Sequence, residues 1–122
     1  MYFHCSKEEF YDGKYLYPRI PLNTMNCEDK TIKRICVSKS IDGCLCAVGG
    51  FQVGDIVNVY RIIDKTKTFT PPIKLVPDVI FTGEEWITNE VQIMKEFTIK
   101  ITKVFVRNHN TMSINVYDYD FI

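Results

Sequence analysis

A chain of 122 residues is long enough for one domain with one hydrophobic core and too short for two. Its 46% hydrophobic content excludes a disordered chain. Fifteen basic residues balance fifteen acidic ones, which argues against a general polyanion binder, so no nucleic-acid partner is expected.

In chain order, Tyr2–Cys5 (YFHC) reads as a short strand. Ser6 to Glu9 (SKEE) carries the S-x-x-E capping pattern, which predicts a brief helix stopped at Asp12-Gly13. Residues 15–33 hold Pro18, Pro21 and the polar run NTMNCEDK, a long irregular segment of the kind that often carries function. Arg34–Ser38 (RICVS) reads as a strand. Ser40 then caps a helix over IDGCLCAV, stopped by Gly49-Gly50. Ile41, Cys44, Leu45 and Val48 recur at i, i+3, i+4 and i+7, so one helical face is buried; Gly43 is its weak point.

Asp55–Ile63 (DIVNVYRII) is a strand of β-branched and aromatic residues, and 64–78 a polar connection with prolines. Val79–Phe81 reads as a short strand broken by Thr82-Gly83. Trp86 and Ile87 open another, followed by VQIM and the long run 97–106. There Phe97, Ile99 and Ile101 alternate, then Val104 and Val106 take over, predicting a change of face near Lys103 through a bulge. RNHNT reads as a turn with His109 in water, and 112–121 as a strand returning to form a hairpin. Met112, Ile114 and Val116 fall on one face of it, Ser113, Asn115 and Tyr117 on the other; the VYDYDF tail reads as an ordinary edge strand. Helices early and strands late give an α+β fold in a single domain.

The five cysteines form no C-x-x-C, and the two histidines lie far from the Cys44/Cys46 pair, so reduced apolar thiols are expected rather than a metal site. With no basic segment leading a long apolar run and no stretch of membrane-span length, the expected location is the cytoplasm, with no membrane partner.

Polar side chains gather at four strand ends or loops: His4/Ser6, Pro18-Arg19-Ile20-Pro21, Val37–Ser40 and Thr82–Trp86. The prolines stiffen the loop around Arg19 and lower the entropy of ordering it. A helix start beside serine hydroxyls suits an anionic or polar group. Alternation sends Glu84 and Glu85 to opposite faces, so at most one enters a given pocket. Trp86 reads as core.

In this order the segments Tyr2-Phe3-His4-Cys5-Ser6, Ile35 to Leu45 (ICVSKSIDGCL) and Gly83 to Ile87 (GEEWI) resemble the ADP-ribosyltransferase fold of the type with a first-strand histidine and a late glutamate. The likeness covers about the first four-fifths of the chain. It implies a compact split β-sheet core with two short helices, and NAD as co-substrate. His4 and Glu84 become catalytic, with His4 also on a ribose hydroxyl. Ser6 and Ser38 support the nicotinamide or ribose, and Arg19 and Arg34 meet the pyrophosphate. Glu85 and Glu90 remain alternatives to Glu84. The stacking tyrosine many members carry in the helix has no counterpart in IDGCLCAVGG, and Phe51 is the first aromatic residue able to take its place. P-R-I-P, R-I-C-V-S-x-S-I-D-G-C-L and T-G-E-x-W together also resemble small phage and prophage proteins. That implies a host protein target, a role as modulator or inhibitor of host defence, and host cytoplasm as the setting. The alternative is a non-catalytic relative that inhibits a host protein or sequesters a nucleotide signal.

Overall fold

The longest strand organises the chain. In a computed structural model describing residues 1–21, 29–109 and 112–122, seven strands and two helices are seen. They are β1 (Phe3–Ser6), β2 (Tyr15–Leu16), β3 (Ile35–Val37), α1 (Ile41–Val48), β4 (Ile56–Ile62), α2 (Val79–Thr82), β5 (Glu85–Ile87), β6 (Val91–His109) and β7 (Met112–Phe121). β6 holds β4 on one side; β2 and β7 also pair with it, at its opposite ends. β1 extends the sheet beyond β4, and β3 and β5 form a separate antiparallel pair. The fold is α+β: a curled antiparallel sheet with two short helices.

The curl comes from two bulges. Between Val59/Phe97 and Tyr60/Lys95 the register slips, leaving Glu96 extra. An extra residue reverses the facing of its own strand beyond it, so Val91 and Ile93 turn to the face that Tyr60 and Ile62 reach by plain alternation. Val57, Val59, Ile99 and Ile101 therefore pack with Leu45 and Cys44 of α1, whereas Tyr60, Ile62, Val91 and Ile93 pack with Ile35, Val37 and Ile87 of the small sheet. A second slip between Ile101 and Lys103 leaves Thr102 extra, at the face change the sequence predicts. Val104 consequently joins Ile101 against the α1 cluster.

α1 matches its expected bounds. The Gly43 amide donates to Ser40 Oγ at 2.9 Å, and the Gly49 amide to the Leu45 carbonyl at 2.9 Å. Gly43 is a requirement rather than a weakness: a Cβ there would stand 2.2 Å from the Thr82 carbonyl oxygen and 2.4 Å from Ser38 Oγ. Its bare surface lets α1 lie against the end of α2.

Two expected elements are corrected. The Ser6–Glu9 segment is not helical: Ser6 ends β1, and its Oγ accepts the Glu8 amide. Tertiary bonds take the backbone instead. Asn58 Nδ2 and the Tyr60 hydroxyl both donate to the Glu8 carbonyl, and the Phe10 amide donates to Tyr60 Oη. Val79–Phe81 is helical, not a strand. The outer edge of β5 is occupied by Phe69, which bridges Trp86, so 79–81 finds no ladder and closes onto Asp78, with Gly83 left-handed at φ 65°. Of the RNHNT turn, Arg107–His109 belong to β6, while 110–111 lie outside the described residues, as does most of NTMNCEDK with Cys27.

Candidate functional site

A cleft opens where two strands begin to pair and then part. Phe3 and Ser38 exchange backbone hydrogen bonds of 2.8 and 3.1 Å, but the bridge is isolated and no ladder continues between β1 and β3. One step on, the His4 ring spans the gap, Nδ1 lying 2.9 Å from the Cys36 carbonyl oxygen. At the far end of β3 the main chains of Arg19 and Arg34 exchange bonds of 3.1 and 2.9 Å, pinning the proline-framed strap. Between these two fastenings lies a cavity of about 660 Å³, within the size range of small-molecule sites.

Six of the seven residues singled out from sequence line this cavity: His4, Ser6, Arg19, Arg34, Phe51 and Glu84. A carbonyl only accepts, so His4 Nδ1 carries the proton and Nε2 of the neutral ring presents a lone pair. Burial pushes the His4 pKa below its ordinary 6.5; the bond to Cys36 works the other way, and the nearby Arg19 charge adds to the lowering. Arg19 is exposed at the mouth. Phe51 is buried and meets Tyr117 edge-on at 5.6 Å, making it part of the core as well as of the wall.

Glu84 and Arg34 are built into the interior. Glu84 is 3% exposed, and its Oε2 accepts the Trp86 indole N–H at 2.7 Å. Arg34 is 1% exposed; its guanidinium lies 4.2 Å from the Trp86 ring centre, and Nη1 donates to the carbonyls of Asp29 and Ile32 and to the Asp29 carboxylate. The amide of Ile32 and the hydroxyl of Thr31, more than Arg34, hold the Asp29 carboxyl below its usual range. Glu85 points elsewhere, accepting from Thr68 at 2.6 Å and Tyr2 at 3.0 Å, and Glu90 is exposed and lines neither cavity described here.

Ser38 is not brought to this cleft. It is buried, donates to the Thr82 carbonyl at 3.3 Å, and faces a second cavity of about 760 Å³. That cavity lies between the start of α1, the α2 turn and the β6–β7 hairpin, and Glu84 lines it too. Burial pushes up the thiol of Cys46 there; the side-chain hydrogen bond between Cys44 and Cys5, together with burial, raises that of Cys44. Neither is a thiolate nucleophile at neutral pH.

Sequence reasoning missed Phe10, Lys14, Tyr15 and Tyr17, which also line the first cleft. The run KYLYPR, aromatic and basic residues interleaved, was an available signal. It missed Asp42, Arg107 and Asp118 in the second cavity, which no local pattern marks. Comparison with protein-family models, curated proteins and solved structures finds no match. Among the described residues no helix is long and apolar enough to cross a membrane, and no group of three or more His, Cys, Asp or Glu side chains is placed to hold a metal ion.

Proposed function

We propose that the cleft binds NAD and that the protein transfers ADP-ribose to a macromolecule, a host protein if the phage likeness holds. One observation carries this reading: His4, Arg19 and Glu84, from three separate segments, line a single cavity. Its walls suit the ligand, with four basic side chains (Lys7, Lys14, Arg19, Arg34) against two carboxylates (Glu8, Glu84), and aromatic rings for a base or nicotinamide. Arg19 offers the planar fork that matches a pyrophosphate; Arg34, held by Asp29 and Trp86, braces the wall. His4 Nε2 accepts a ribose hydroxyl. Bound NAD supplies a glycosidic bond whose cleavage releases nicotinamide with the bonding electrons. Glu84, fixed by Trp86, faces the positive charge that develops on the sugar and stabilises it more than the ground state.

Labelled NAD incubated with the protein and a bacterial lysate tests this. Label transfer is expected, falling roughly 100-fold in Glu84→Gln while calorimetric NAD affinity changes little. Absence of transfer from the wild type, or transfer undiminished in the variant, refutes it.

A second reading is a non-catalytic binder that sequesters a nucleotide or inhibits a host protein. Two observations favour it: Glu84 already holds the Trp86 indole, and Ser38 is turned to Thr82. Tight calorimetric binding of NAD, ADP-ribose or a cyclic nucleotide without turnover supports sequestration, and binding of none of them points to the protein partner.

A further inference from the structure

The second cavity has the opposite electrostatic character to the first. Four carboxylates line it, Asp42, Glu84, Glu85 and Asp118, against two basic side chains, Lys39 and Arg107. Neither Asp42 nor Asp118 belongs to an ion pair among the described residues. The α2 turn adds an apolar rim, with Ile80 69% and Phe81 43% exposed. The first cleft, rich in cations and aromatic rings, fits an anionic dinucleotide. The second fits neither phosphate nor a plain apolar ligand.

The two cavities also share a residue, since Glu84 lines both. The walls separating them are fixed closely: Gly43 sits against Thr82 and Ser38, and Ser38 bridges to Phe3 of β1. Glu84 therefore stands in the wall between the two cavities.

We infer that the second cavity seats the macromolecular acceptor, as an extended protein segment whose lysine or arginine side chain enters among Asp42, Asp118 and Glu85 while a neighbouring apolar residue rests on Ile80 and Phe81. This rests on the transferase reading for the word acceptor. The charge pattern selects a cationic segment, because an acidic one would bring like charges together.

Binding of short peptides to the whole chain, followed by amide chemical shifts in ¹⁵N-labelled protein, tests the inference without turnover. The pair used is acetyl-Leu-Arg-Leu-amide and acetyl-Leu-Gln-Leu-amide. The arginine peptide is expected to shift the amides of Thr82, Gly83 and Asp118, and the glutamine peptide to bind roughly five-fold more weakly or worse. The double variant Asp42→Asn, Asp118→Asn alters two exposed side chains and is expected to bring the arginine peptide down to the glutamine level, with NAD affinity by calorimetry unchanged. Equal response to the two peptides, no shift at Thr82, Gly83 or Asp118, or shifts centred on His4 and Arg19 would overturn it. NAD calorimetry on the wild type is a separate measurement: absence of NAD binding defeats the transferase reading, whereas the peptide pair still decides whether this cavity recognises a cationic segment.

Discussion

The two cavities that meet at Glu84 are built from different materials. The first lies where a sheet fails to close. Its floor is the edge of β1 and β3; His4 stands on β1, Arg19 on a strap fastened by backbone hydrogen bonds, and Glu84 immediately before β5. The second lies between a helix start, a one-turn helix and a projecting hairpin, in which β6 beyond Ile101 pairs only with β7 among the described residues. Strand-borne groups are held in fixed geometry, which favours chemistry, while turn- and hairpin-borne groups adapt, which favours recognition of a partner. The opposed charge of the two linings follows the same division.

The largest expected effect breaks the wall between the cavities. Gly43→Ala inserts a methyl against the Thr82 carbonyl and Ser38 Oγ, and neither the buried main chain nor the buried serine has room to retreat. A stability loss of about 3 kcal/mol is expected in urea unfolding, along with loss of both ligand responses. Unchanged stability would mean α1 and α2 do not lie as described.

Arg19→Ala separates the cavities instead of joining them. The Arg19 bridge to Arg34 uses main-chain groups, so it survives the change. Unfolding midpoints should stay within about 0.5 kcal/mol of the wild type. NAD affinity should fall by about 2 kcal/mol, a factor of roughly thirty, and the arginine peptide should bind as before. An equal loss for peptide and NAD would show that one site was being read as two.

The smallest effect concerns His4. Its folded pKa lies below the ordinary 6.5, so below that pH the unfolded chain binds the proton first. Its contribution is complete above about 6.5 and is lost as pH falls from there toward the lowered folded value. Urea midpoints at pH 7.5 and 5.5 should therefore diverge more for the wild type than for His4→Gln. NAD affinity should fall only as pH reaches the lowered folded value, since protonation of the folded ring removes the Nε2 lone pair. A wild type that gains stability relative to the variant on acidification would reverse the sign and reject the neutral tautomer.

Local signals were enough for some elements. Ser40, Gly49 and the spacing Ile41, Cys44, Leu45, Val48 specify α1, because capping and amphipathicity are short-range. The shift from Ile101 to Val104 announced the β6 bulge, because facing alternates residue by residue. Ser6–Glu9 and Val79–Phe81 misled for one reason. Their backbone partners lie far away in the chain, at Asn58 and Tyr60 in the first case and at an edge already taken by Phe69 in the second. The site divided the same way. His4, Arg19 and Glu84 were legible as chemistry at strand ends, whereas the diversion of Ser38 to Thr82 and the locking of Arg34 over Trp86 were not.

By itself the sequence determined the α+β class, the helix α1, the long bulged hairpin and the residue types available for a site, all of which follow from periodicity, caps and side-chain chemistry within a few residues. The tertiary structure alone decided that β1 and β3 part after a single bridge, that Glu84 borders two cavities, and that those cavities carry opposite charge. Each of these depends on which distant backbone groups remain to be paired once the core has closed, and no local stretch of chain contains that information.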